Sequence, residues 1–138
     1  MAPPWRLQLF GEPALVRADG TLPLAARKAL ALLVVLALQG RSSRAWLAAL
    51  LWPAQEAGAA RRNLRRELHR LRAMGLEPTE PAPGALDWPT AVVAVDTEPT
   101  PDAGAPLQGL DGLAGEDFDD WLLGQRELLR RTRRRARL

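Results

Sequence analysis

An α+β fold is predicted by three observations. The chain opens with alternating apolar and polar residues, continues with three successive helical patterns of which the first is apolar on all sides, and then returns to short strand-like runs before a fourth, strongly charged helical pattern. With 138 residues, 47% of them apolar and 25% charged, there is material for one ordinary core and not for two.

The elements follow in order. Trp5, Leu7 and Leu9 alternate with Arg6 and Gln8; Gly11 and Pro13 punctuate, and Leu15 and Val16 resume before the turn pair Asp19-Gly20, which reads as a short antiparallel meander closed by Pro23. Ala26 to Gln39 is helical and almost wholly apolar, so it has to be a buried central helix; Gly40 is its expected left-handed C-cap. Ser42 or Ser43 can cap the helix Arg44 to Trp52, which Pro53 stops. From Ala57 to Met74 the pattern is clearly amphipathic: Ala60, Leu64, Leu68 and Leu71 share one narrow arc at 100° per residue. Ala85 to Trp88 and Ala91 to Val95 then read as two strands of a hairpin around Pro89-Thr90. The domain so formed spans 1–97. Residues 98–115, rich in Pro, Gly and acids, read as a linker, and 116–138 as one long helix with acids in its first turns and arginines in its last, as the helix macrodipole favours.

Composition removes several functional classes. Without cysteine there is neither disulfide nor thiolate metal site. One histidine, no tyrosine and no Gly-rich phosphate loop leave little for catalysis, so neither an enzyme nor a cofactor is expected; Asp117, Asp119 and Asp120 are better read as charge partners of a helix N-terminus than as a carboxylate site. The five tryptophans, Trp5, Trp46, Trp52, Trp88 and Trp121, read as core and interface anchors. Met1 to Pro4 has no signal-peptide character, and the longest apolar run, Ala29 to Leu38, is half of the about 20 residues a bilayer span needs. A cytoplasmic protein with no membrane partner is the expectation.

Charge is more informative than its net value of +3. Arg61, Arg62, Arg65, Arg66, Arg70 and Arg72 fall within twelve residues with Glu67 as the only acid; from Ala73 to Gln125 there is no Lys or Arg; then Arg126, Arg130, Arg131, Arg133, Arg134, Arg135 and Arg137 face only Glu127. Like-signed neighbours on a helix repel, and an ordinary solvated face relieves this by mixing signs. The third helix does not, which points to a polyanion. Three helices, the third basic and amphipathic, followed by a hairpin, form the outline of a winged helix-turn-helix, in which one helix face anchors to the domain and the other enters the major groove of double-stranded DNA. Arginine suits the task because its planar fork pairs with phosphate or with the guanine O6/N7 edge. Arg62 and Arg66, most opposed to Leu64 and Leu68, are candidates for base edges with His69 beside them, and Arg65 and Arg70 for the backbone. Arg61 and Arg72 lie nearer the buried arc, where acids or phosphate would partner them. Arg41 and Arg44, at the start of the second helix, are placed to touch phosphate.

Leu9-Phe10-Gly11 with Pro13, then RKALALL from Arg27, LAALLWP from Leu47, ARRNLR from Ala60 and LHRLR from Leu68 together resemble the N-terminal half of the Streptomyces antibiotic regulatory protein family. The likeness covers about Leu7 to Asp96. It implies an OmpR-type winged-helix domain and a bacterial transcription activator whose third helix enters the major groove while the hairpin approaches the minor groove. Between Glu77 and Trp88 the hairpin carries no basic residue, in departure from that pattern. FDDWLLGQRELL from Phe118, with Trp121, Arg126 and Leu129, is similar to the opening helix of the bacterial transcriptional activation domain that follows in this family, a helical-repeat array of which the sequence holds the start.

The expectation is therefore sequence-specific DNA binding and transcription regulation through Arg44, Arg61, Arg62, Arg65, Arg66, His69 and Arg70. Protein partners compatible with it are RNA polymerase, another regulator, or a second copy joined through the C-terminal helix. The competing reading is a winged-helix protein-interaction module, docking through the basic third helix and through Phe118, Trp121 and Leu122.

Overall fold

The computed structural model describes residues 3–20, 26–96 and 102–137, of the last three the backbone alone. Pro23, Thr97 at the end of the expected domain and the stretch 98–101 of the expected linker lie outside the described residues. The fold is α+β, in the order β1 (Trp5–Gln8), β2 (Ala14–Arg17), α1 (Arg27–Gln39), β3 (Ser42–Ser43), α2 (Arg44–Leu51), α3 (Ala57–Ala73), β4 (Thr79–Ala82), β5 (Ala85–Asp87), β6 (Val93–Asp96) and α4 (Glu116–Arg137).

Every residue of α1 from Ala29 to Leu36 is buried, as its lack of a polar face requires. Gly40 ends it with φ 81° and ψ −153°, which is outside the left-handed helical well expected for it and in a region only glycine enters freely. The helix is tied to its surroundings at both ends. At the start, Lys28 Nζ donates to the Leu51 carbonyl at the end of α2 and lies over the Trp52 ring; its burial lowers the ammonium's pKa. At the other end, Trp121 Nε1 of α4 donates to Gln39 Oε1 at 3.0 Å. α2 and α3 pack against α1 and against each other, and one continuous cluster of buried side chains runs from Trp5 to Leu129.

Two three-stranded sheets flank this core, in the orders β2-β1-β6 and β3-β5-β4. The β1–β2 meander is antiparallel as expected, but the hairpin expected of Ala85–Trp88 and Ala91–Val95 does not form. β5 pairs instead with β4 and with β3, while β6 crosses to the first sheet and runs parallel to β1, Trp5 opposite Val93 and Leu7 opposite Val95. The physical reason lies in the two turns. Pro83-Gly84, with Gly84 at φ 77°, supplies the tight reversal between β4 and β5. Around Pro89-Thr90 the backbone closes a helical turn, Val93 N donating to Pro89 O at 3.0 Å, which redirects the chain between sheets.

The acidic, proline-rich segment before α4 is a strap rather than a free spacer over its described part, 102–115. Gly11 N donates to Ala105 O at 2.8 Å and Leu107 N to Leu9 O at 2.8 Å, extending the end of β1, while Leu107, Leu110 and Ala114 are buried. Leu107 holds φ 56°, unusual for a leucine. Its side chain is enclosed and its carbonyl accepts from Arg126 Nη2 at 2.7 Å. Arg126 also donates to Asp111 at 2.7 Å, which pulls that carboxyl below its ordinary range, and Arg133 donates to the carbonyls of Ala103 and Gly104. Along α4, Phe118, Leu122 and Leu129 face inward, and the Phe118 and Trp121 rings stack with centroids 6.0 Å apart.

Removing the fully buried Phe118 side chain leaves a cavity under α4, so Phe118→Ala is expected to cost about 3–5 kcal/mol in urea denaturation, whereas Leu123→Ala, on the solvent side of the same helix, stays within about 0.5 kcal/mol. Equal costs would contradict the docking of α4.

Candidate functional site

Glu56, immediately before α3, sets that helix's start. Its Oε1 accepts from Ala59 N at 2.6 Å, and this bond, followed by that from Gly58, lowers the carboxyl's pKa. From there Ala60, Leu64, Leu68 and Leu71 are buried in the expected arc. Because that arc is committed to the core, helical geometry turns the rest outward: Arg61, Arg62, Arg65, Arg66, His69, Arg70 and Arg72 are all exposed.

Their partners differ. Arg62 Nη2 is 3.9 Å from Glu56, a weak pairing between well exposed groups. Arg66 donates to Asn63 Oδ1 at 3.2 Å, a neutral bond that orients the guanidinium and leaves its charge. Arg70 Nε approaches Glu67 Oε2 at 3.2 Å in an ion pair, and because that oxygen is buried and accepts no hydrogen bond, the pairing is its compensation. Arg72 pairs with Glu77 at 3.7 Å, as its place nearer the arc suggests. For Arg61, Arg65 and His69 no ion pair or hydrogen bond is found among the described residues. The outward strip is thus cationic from Arg61 to Arg66 and partly neutralised at its C-terminal end.

Arg44 joins this strip from α2. Ser43 caps that helix, its Oγ accepting from Trp46 N at 3.0 Å, and the preceding residues form β3 against β5, so the helix start is pinned to the β4–β5 hairpin. The result is a cleft of about 320 Å³ lined by Ser43, Arg44, Ala45, Arg61, Leu64, Arg65 and Gly84. Three of the seven candidate residues meet at this one concavity. Arg44 is engaged there by Glu80 of β4, Nη2 to Oε1 at 2.5 Å. Arg41 pairs with Asp87 at 3.7 Å. Glu80 is the residue that sequence reasoning missed. β4 carries no apolar alternation and contains Pro81, all four of its residues are exposed, and only the β4–β5 register reveals that Glu80 faces Arg44.

The residues weighed for a docking face on α4 are used internally: Phe118 and Leu122 are buried and Trp121 is half-buried against Phe118 and Gln39. Among the described residues no group of three or more His, Asp or Glu side chains is arranged to hold a metal, and no helix is long and apolar enough to cross a membrane. No known protein family, no curated protein and no solved structure matches the chain.

The Arg44 guanidinium, then the Gly84 amide, hold the Glu80 carboxyl below its ordinary value of 4.5. A depressed carboxylate stabilises the fold fully above its unfolded value, and that contribution fades as pH falls through the lowered one. In an NMR acid titration, the Gly84 amide shift is expected to change with a midpoint below 4.5, moving up toward it in Arg44→Ala. A midpoint at or above that value in the unaltered protein would show that the pair does not form.

Proposed function

We propose that this chain binds double-stranded DNA and regulates transcription, with α2 and α3 as a helix-turn-helix, α3 in the major groove and the β4–β5 hairpin as a wing. The observation that carries the reading is the division of α3 into a buried leucine arc and an exposed arginine strip whose N-terminal half keeps most of its charge. A helix with side chains is about as wide as the major groove, so a helix anchored by one face and cationic on the other has the right shape and sign.

Roles follow from position. Arg62 and Arg66, furthest from the buried arc, reach base edges, with His69 beside them. Asn63 pre-orients Arg66, which lowers the entropy lost on engaging a guanine edge. Arg65 and Arg61, with Arg44, border the cleft at the N-terminus of α2, where a backbone phosphate meets several donors at once. Arg70, shared with Glu67, contributes less. The hairpin adds no cation, and through Glu80 it offsets Arg44, so the wing acts as a support for the α2 start rather than as a DNA-reading arm. An OmpR-type likeness fits the placement of α3 but not that of the hairpin, which in that pattern approaches the minor groove.

Fluorescence anisotropy with random-sequence duplex DNA across a salt series tests it. Counterion release predicts that log affinity falls with log salt at about −0.9 per phosphate contacted, so Arg61 and Arg65, which have no carboxylate partner among the described residues, alone give a slope near −2. On a tight-binding duplex selected from the random pool, Arg62→Ala/Arg66→Ala is expected to weaken binding by roughly 30-fold or more, at about 1–3 kcal/mol for each base contact. Binding indifferent to salt or to these arginines would overturn the reading.

A further inference from the structure

α4 has an outer face that nothing in the described structure covers. Its inward side is set by Phe118, Leu122 and Leu129; at roughly 100° per residue the opposite side carries Glu116, Asp120, Gly124, Glu127, Arg131 and Arg134, flanked by Leu123 and Leu128. These two leucines are 65% and 53% exposed, the large apolar side chains most open to water among the described residues. Gly124 lies between them, and a Cβ there would meet no atom within 4 Å, so the middle of the face is a shallow gap.

Charge on this face is divided along its length. Glu116 and Asp120 occupy the first turns and have no ion-pair partner among the described residues; Arg131 and Arg134 occupy the last and share the single carboxylate of Glu127, at 3.3 and 3.5 Å. At a rise of about 1.5 Å per residue Asp120 and Arg131 stand roughly 16 Å apart, beyond a Debye length of about 8 Å at physiological salt, so they cannot compensate each other within one helix. A second copy of the same helix running antiparallel compensates all of them together.

We infer that α4 pairs antiparallel with α4 of a second copy of this chain, about a two-fold axis near Gln125. That register sets Asp120 opposite Arg131 and Glu116 opposite Arg134 in both directions, and it lays Leu128 into the gap over Gly124. The interface is isologous, each contact occurring twice. It uses none of the α3 arginines, so it does not depend on the DNA reading. Exposed ion pairs contribute little each, so the association is weak and salt-sensitive, and the leucines supply the rest.

Light scattering coupled to size exclusion, and sedimentation equilibrium at low and moderate salt, test this with the full chain. The protein is expected to dimerise at tens of micromolar. Asp120→Arg and Arg131→Asp should each be monomeric under the same conditions, while an equimolar mixture of the two recovers a heterodimer because every crossed pair is then attractive. Gly124→Leu should also abolish the dimer by filling the gap, with the circular dichroism spectrum retained and the urea midpoint not lowered, since leucine is the better helix former. A monomer at all concentrations, or a dimer that survives the single reversals, or a mixture that stays monomeric, overturns the inference.

Discussion

A helix with no polar side chain between Ala29 and Leu36 has to be enclosed on every side, and the remainder of the molecule is arranged to meet that demand. α2 and α3 lie against it, Lys28 fixes its start to the end of α2, and Trp121 fixes its end to α4. Burial of its leucines and valines contributes roughly 1.5–3 kcal/mol each. It also decides which way α3 faces. With Leu64, Leu68 and Leu71 drawn inward, the arginines between them have nowhere to go but outward.

The distribution of charge follows the same logic of division. The arginines of α3 stay on the surface as a strip, whereas those of α4 are split in use. Arg126 and Arg133 turn inward to the carbonyls of the 102–115 strap, where guanidinium donors satisfy backbone acceptors that sheet or helix does not reach. Arg131 and Arg134 stay outside. One residue type therefore serves two purposes within a chain that has a single lysine, because a planar, permanently charged fork works equally as a carbonyl clamp and a carboxylate partner, and the α3 strip is left for the proposed phosphate contacts.

What was legible in the sequence was whatever depends on local periodicity. The four helices begin and end within a residue or two of the pattern, Ser43 caps α2, and the outward arc of α3 holds the arginines that its leucines imply. What was not legible depends on pairing across long separations. The parallel seating of β6 beside β1 joins residues some ninety apart, and β4, all exposed and proline-bearing, has no strand signature until β5 is placed beside it. The 102–115 segment reads as a spacer because its composition is that of a loop, yet Leu107 and Leu110 are spaced to enter the core. Consequently Arg44 was legible as a candidate and its pairing with Glu80 was not.

In the proposed function α3, oriented by its leucine arc, presents Arg61 to Arg66 to a DNA groove. An NMR titration with a short duplex, following the arginine Nε–Hε signals, tests it most directly. Large, saturable shifts are expected for Arg62, Arg65 and Arg66, smaller ones for Arg44 and Arg61, and none for Arg126, which is held inside by Asp111 and the strap. Shifts concentrated in the arginines of α4, with those of α3 unmoved, would contradict it.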